Sequence, residues 1–198
     1  MNERRASDAN PDIVVETPRL RLRAFAPGDA QLIFELDQDP VVVKFVDGPA
    51  TLDEAQNEIL PYFLNLSREH PGFGFFATFE RATDTYIGWF HFRPSRESAR
   101  DIELGYRLRR SAWGKGYATE GSRALIHRGF TELGVERVVA AALVANRAST
   151  HVMEKCGLTV QSYFEEPSVL LPDKRAVKYA LDRATYLALP PRDGVPWP

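Results

Sequence analysis

Cysteine is almost missing from this chain of 198 residues: Cys156 stands alone, so no internal disulfide can form and a reducing cytoplasm is the expected setting. Long apolar runs are missing too, since no stretch approaches the roughly 20 residues that cross a bilayer. The opening residues, MNERRASDANPD, lack the apolar core of a signal peptide. No sign of charge is in excess: 25 Lys and Arg face 27 Asp and Glu, a net charge of -2. That balance removes the broad attraction on which non-specific binding to nucleic acid or an anionic membrane depends. Internal repeats and low-complexity runs are absent, and no pair of histidines has metal-ligand spacing, so no metal is expected. Single cores stop growing near roughly 250 residues, so the chain reads as one domain.

Within it, pattern is plentiful. Leu20, Leu22 and Ala24 alternate with Arg19, Arg21 and Arg23, the period of a strand buried on one face and lying at or near a sheet edge. A helix follows Pro27-Gly28-Asp29 and runs to about Asp37, with Pro40 past its end. Thr51 and Glu54 have capping-box spacing and open a second helix, which Pro61 is expected to kink or split. Phe73 to Glu80, Tyr86 to Arg93 and Ile102 to Arg109 read as an antiparallel meander. From Gly116 to Leu133 apolar residues recur at helical spacing, with Gly134 as the stop. Arg137 to Val144 is nearly all apolar, as expected of a strand covered on both faces. Strand, helix and strand make a βαβ crossover. A short helix from Asn146 to Cys156 and strands near Leu158 to Glu165 and Ala176 to Leu181 complete the domain. Residues 1–16 read as a flexible arm, 17–189 as the domain and 190–198 as a proline-rich tail.

Trp113-Gly114-Lys115-Gly116-Tyr117-Ala118-Thr119 lies between a strand and a helix start. Such a start carries unpaired N–H groups and about half a positive charge, and glycines let an anion come close. A tight turn that needs glycine dihedrals would look the same. A Walker loop is excluded because GxxxxGK[ST] is absent, and a Rossmann fingerprint because Gly121 falls one position late.

Four blocks, IELGYRL (102–108), WGKGYATEG (113–121), RGFTELGVERV (128–138) and NRASTHVMEKCGL (146–158), together with the opening TPRLRLRAFAPGDA (17–30), resemble the GNAT superfamily of acyl-CoA-dependent N-acyltransferases, in its RimJ/RimL-like branch. The resemblance implies an α/β (α+β) fold: a mixed, strongly twisted sheet of about seven strands with helices on both faces, splayed open to hold acyl-CoA. It implies acetyl-CoA as co-substrate, its pyrophosphate on backbone N–H groups of Gly114, Lys115, Gly116, Tyr117, Ala118 and Thr119. The pantetheine arm would run along the backbone of Arg107, Leu108 and Arg109. Arg109, Arg110 and Lys115 could also face the phosphates, or simply be solvated. Asn146 would bind pantetheine or the acceptor side, or serve as an ordinary turn residue; Ser149 would sit near the CoA sulfur, or cap its helix.

Many relatives carry a tyrosine that protonates the departing thiolate, where this chain has Met153. A thiol of pKa about 8.5 departs only about 1.5 units above neutrality, roughly 2 kcal/mol, which water or Ser149 can cover. Glu103 is the candidate base, on the strand where the family places a glutamate; a solvated carboxylate paired with arginine is the alternative. Alternation sets Glu103, Gly105 and Arg107 on one face and Ile102, Leu104, Tyr106 and Leu108 on the other. His91 is the most plausible cleft histidine, against a hydrogen-bonded structural one, and Cys156 reads as a small buried hydrophobe rather than a nucleophile. Asp37, Asp39, Asp47 and Asp53 give the region before the meander an acidic bias that would suit a cationic amine, although surface solvation and helix capping explain the same residues equally well. The expected activity is acetyl transfer to a small amine or a protein N-terminus, with a silent CoA-binding sensor or a succinyl-CoA enzyme as alternatives. The apolar late strands and the proline-rich tail are compatible with a homodimer.

Overall fold

The computed structural model describes residues 12–188 apart from 47, 99 and 168–170. One sheet of eight strands runs through it: β1 (Ile13–Glu16), β2 (Leu20–Ala24), β3 (Gly74–Glu80), β4 (Thr85–Pro94), β5 (Asp101–Leu108), β6 (Arg137–Leu143), β7 (Thr159–Glu165) and β8 (Arg175–Asp182). Their spatial order is β1-β2-β3-β4-β5-β6-β8-β7. Only β5 and β6 pair in parallel; every other neighbouring pair is antiparallel. The sequence suggests about seven strands, and the eighth is β1, which lies inside the stretch that reads as an arm. Four residues are too few to display an alternation. Val14 and Val15 nonetheless rest against the core, and β2 is thereby second from the edge. The proline-rich tail lies outside the described residues.

Both faces of the sheet are covered at β3 and β4, so these strands carry apolar side chains in both directions, whereas β7 lies exposed. Along β4, Phe90 and Phe92 join Leu20, Leu22, Leu104, Leu125 and Phe130 on one side, under α4 (Tyr117–Thr131) and α5 (Arg147–Lys155). Trp89 points the other way, with Phe75, Ile33, Leu36 and Phe63 beneath α1 (Ala30–Asp37) and α3 (Leu60–Glu69). Phe63 stacks on Phe75 with ring centroids 3.7 Å apart. Each such ring contributes about 2–3 kcal/mol by leaving water.

Thr51 caps α2 (Leu52–Glu54): Glu54 N–H donates to its Oγ1 at 3.1 Å and Thr51 N–H to Glu54 Oε2 at 2.7 Å, the box expected from the sequence. The run is split just ahead of Pro61, as the sequence leads one to expect. A wide turn at Ala55–Ile59 joins α2 to α3 and leaves Pro61 in the first turn of α3, where a missing N–H costs nothing. A last helix, α6 (Arg183–Ala188), for which the sequence pattern gives no sign, seats Tyr186 against Phe130 with centroids 4.9 Å apart.

Candidate active site

β5 and β6 are paired only at Asp101↔Arg137, Ile102↔Val138 and Glu103↔Val139. Beyond that vertex they part, as the resemblance leads one to expect, and one edge of β5 is left open. Which backbone groups face the opening follows from the ladder on the other edge. Ser95 N–H donates to Asp101 C=O and Arg109 N–H to Ile87 C=O, each at 2.8 Å. Odd-numbered residues of β5 therefore turn their backbone to β4, and Leu104, Tyr106 and Leu108 turn theirs to the gap. Leu108 C=O is taken by the Trp113 indole N–H at 2.8 Å. Of Arg107, Leu108 and Arg109, only Leu108 thus offers a free backbone N–H to the gap, and Tyr106 joins it. The two arginines point elsewhere: Arg107 Nη1 meets Asp37 Oδ1 at 2.5 Å and Arg109 Nη2 meets Glu35 Oε2 at 2.8 Å.

At the far end of β5 the loop 113–116 delivers the chain into α4. Gly114 and Gly116 take φ of 73° and 81°, left-handed values that cost an L side chain roughly 1–2 kcal/mol. No side chain caps α4. Among the described residues none accepts a hydrogen bond from the N–H groups of 114 to 119. The loop is braced from beneath by the opening segment. Arg19 Nη1 donates to Lys115 C=O at 2.8 Å, and Arg19 Nε and Thr17 Oγ1 each donate to Glu120 at 2.6 Å. A diphosphate fits this arrangement: it is rigid, positive at its tip, and open above Gly114, where a methyl group on Cα would meet no atom within 4 Å. Arg110, held by Asp39 at 2.6 Å, is engaged by the protein itself. Lys115 lies exposed.

At the vertex stands Glu103. Arg93 Nη2 lies 2.9 Å from its Oε2, and His91 Nε2 lies 3.5 Å from its Oε1, an electrostatic contact without hydrogen-bond geometry. Burial raises this carboxyl, and the His91 and Arg93 neighbours outweigh the rise and hold it below the usual carboxylate range. Its side chain is 29% exposed, against 14% for His91 behind it. Beside it opens a cavity of about 260 Å³ whose lining includes Arg93, Glu97, Ala140, Phe164 and Lys178. Lys178 Nζ meets Glu97 at 2.5 Å, so the wall carries two pairs of opposite charge, this one and Arg93 with Glu103, beside Arg96 and Glu166.

Ser149 lies across the sheet from Glu103. Asn146 Oδ1 accepts from its N–H at 3.2 Å, so Asn146 is the helix cap of α5 and the Ser149 hydroxyl is left for other work. Tyr106 OH donates to Ser149 Oγ at 3.4 Å, with its own ionisation pushed up to about 12 by burial. Sequence reasoning passes over Tyr106 as a site residue, although strand alternation already sets it on the face opposite Glu103. Met153 is buried in the core.

The acidic bias does not survive as a charge field. Asp37 is 3% exposed and paired with Arg107, Asp39 is paired with Arg110, and Asp53 accepts from Asn57 at 2.8 Å; Asp47 lies outside the described residues. Cys156 is buried, the small hydrophobe expected. Among the described residues no cluster has the makeup of a metal site, and no helix is long and apolar enough to cross a membrane.

Residues 19–159 match the family model of the acetyltransferase (GNAT) domain. The FsC-acetyl coenzyme A-N(2)-transacetylase of Aspergillus fumigatus is 32% identical over 187 residues, 88% of this chain and 78% of the relative. RimL, a ribosomal alpha-N-protein acetyltransferase solved with coenzyme A, superimposes with a TM-score of 0.76 at 19% identity, covering 88% of this chain and 99% of its own. The spermidine N-acetyltransferase of Vibrio cholerae, solved with CoA and spermine, gives a TM-score of 0.71 at 19% identity over 86% and 99% of the two chains.

Proposed function

This chain belongs to the GNAT acetyltransferase family, and from that premise we propose that it moves the acetyl group of acetyl-CoA directly to a primary amine, with Glu103 as the base. The observation that carries the reading is the gap between β5 and β6, closed at one end by the bare N-terminus of α4 and at the other by Glu103. The diphosphate rests on the N–H groups of 114 to 119, and the pantetheine arm meets the N–H groups of Tyr106 and Leu108. The thioester then reaches the vertex, where the cavity of about 260 Å³ admits the amine.

Attack needs a neutral nitrogen. An α-amine of pKa near 7.8 gives up its proton at pH 7 for about 1 kcal/mol, a lysine-like amine of pKa about 10.4 for about 4.6 kcal/mol. Glu103 is a carboxylate at that pH and takes the proton as the carbon–nitrogen bond forms. On the opposite face Ser149, fixed by Tyr106, offers its hydroxyl to the departing sulfur. The relatives' names span FsC, a ribosomal protein α-amine and spermidine. With Glu103 and Glu97 already matched by Arg93 and Lys178, the cavity wall here suits an α-amine, free or at a protein N-terminus, better than a polycation. The test is thiol release from acetyl-CoA across a panel of peptides, amino compounds and spermidine. Turnover with an α-amine supports the reading, and calorimetric binding of acetyl-CoA without turnover on any amine overturns it in favour of a CoA sensor.

A further inference from the structure

Direct acetyl transfer gives no task to His91, whose ring stands beside Glu103. It lies on β4 opposite Gly105, and a methyl on Gly105 would fall 2.5 Å from the imidazole, so this glycine is the space the ring occupies. Phe75 meets the ring edge-on at 5.2 Å and Trp89 stacks at 5.9 Å. Both ring nitrogens are buried and neither has a hydrogen-bond partner among the described residues. Leaving two such atoms unsatisfied is costly, and native folds keep few of them. The charged groups that face the ring are Glu103 from β5, Arg93 from β4 itself and Arg107, whose guanidinium is already matched by Asp37. Burial, with Arg93 and Arg107, favours the neutral imidazole, while Glu103 pulls toward the cation.

Resting on the proposed direct transfer, we infer that His91 is a positioning residue that works through Glu103: it holds the carboxylate at the vertex and receives, at Nε2, the proton that Glu103 takes from the amine. A carboxylate keeps a proton poorly, since at pH 7 fewer than about one in a hundred ordinary glutamates carries one; the buried imidazole is neutral at rest and takes the proton only in passing, when the ionised Glu103 beside it favours the cation. His91 Nε2 stands 3.5 Å from Glu103 Oε1, the distance over which the proton would pass. The balance is simple. The carbon–nitrogen bond forms, the carbon–sulfur bond breaks with its electron pair on sulfur, and one proton leaves nitrogen for Glu103 and then His91. Sulfur gains one proton from water, directly or through Ser149, which water then reprotonates, and His91 returns its own through Glu103 to solvent in the cavity, giving amide and thiol.

The experiment pairs thiol-release kinetics with a histidine titration followed by nitrogen NMR. His91→Gln, which keeps a donor but cannot hold a proton, should lower kcat about a hundredfold, leave KM for acetyl-CoA within about twofold and move the acid limb of the pH profile. In the unmodified protein the His91 resonance should titrate, and Glu103→Gln should displace that titration. A His91→Gln profile that superimposes on the original at similar kcat, or a His91 titration indifferent to Glu103→Gln, overturns the inference. Should His91→Gln fail to fold, the titration decides by itself. Absence of turnover in the unmodified protein speaks against the acetyl-transfer reading, and the titration still tells whether the two groups share a proton.

Discussion

Removing the Ser149 hydroxyl should cost little, because only about 1.5 pKa units separate the thiol from neutrality. Ser149→Ala is therefore expected to slow turnover by no more than about thirtyfold, and Tyr106→Phe by less, with KM for acetyl-CoA unchanged in steady-state assays. Asp37→Asn strips a buried carboxylate from Arg107 and should destabilise by about 3–5 kcal/mol, lowering the thermal midpoint by roughly 6–20 °C. His91 adds a pH dependence. Its folded-state affinity for protons is lowered, so below about pH 6.5 the unfolded chain binds a proton that the native state declines. Stability should then fall as pH drops, by up to about 1.4 kcal/mol per unit, and His91→Gln should flatten that slope in melts between pH 7 and 5. At this scale the sequence is informative about residue type and face, and silent about partners. It sets Glu103 on the right face of β5, yet nothing in IELGYRL announces that Arg93 and His91 close on its carboxylate, since they come from another strand at a register no spacing reveals.

The helix-opening loop carries the clearest consequence among the elements. Gly116 sits at φ 81° with an Arg19 nitrogen 3.4 Å from where a methyl would lie. Gly116→Val should twist the N–H groups away from the diphosphate and weaken acetyl-CoA binding at least tenfold by calorimetry, with the thermal midpoint lowered by roughly 2–8 °C. This loop is readable because glycine, helix start and preceding strand are all local signals. Pro61 is a local signal as well, and the run is split beside it, yet the wide turn at Ala55–Ile59 that makes the split has no mark of its own in the sequence. The strand β1 escapes notice for want of length, and α6 because six residues carry too little periodicity.

Across the whole molecule, one topological fact organises the rest. A sheet otherwise antiparallel contains a single parallel pair, and a parallel pair needs a crossover, here α4. The crossover brings the helix start to the end of β5, and separation of the two strands beyond Glu103 makes the groove. Order of elements conveys the crossover; the depth of the splay does not follow from it, because it depends on how far two twisted strands remain in register. Calorimetric titration of acetyl-CoA into the unmodified protein and into Gly116→Val is the most direct trial of this account. It predicts one site per chain in the unmodified protein and at least a tenfold loss in the variant. Equal affinity in the two proteins, or no binding to the first, would contradict it.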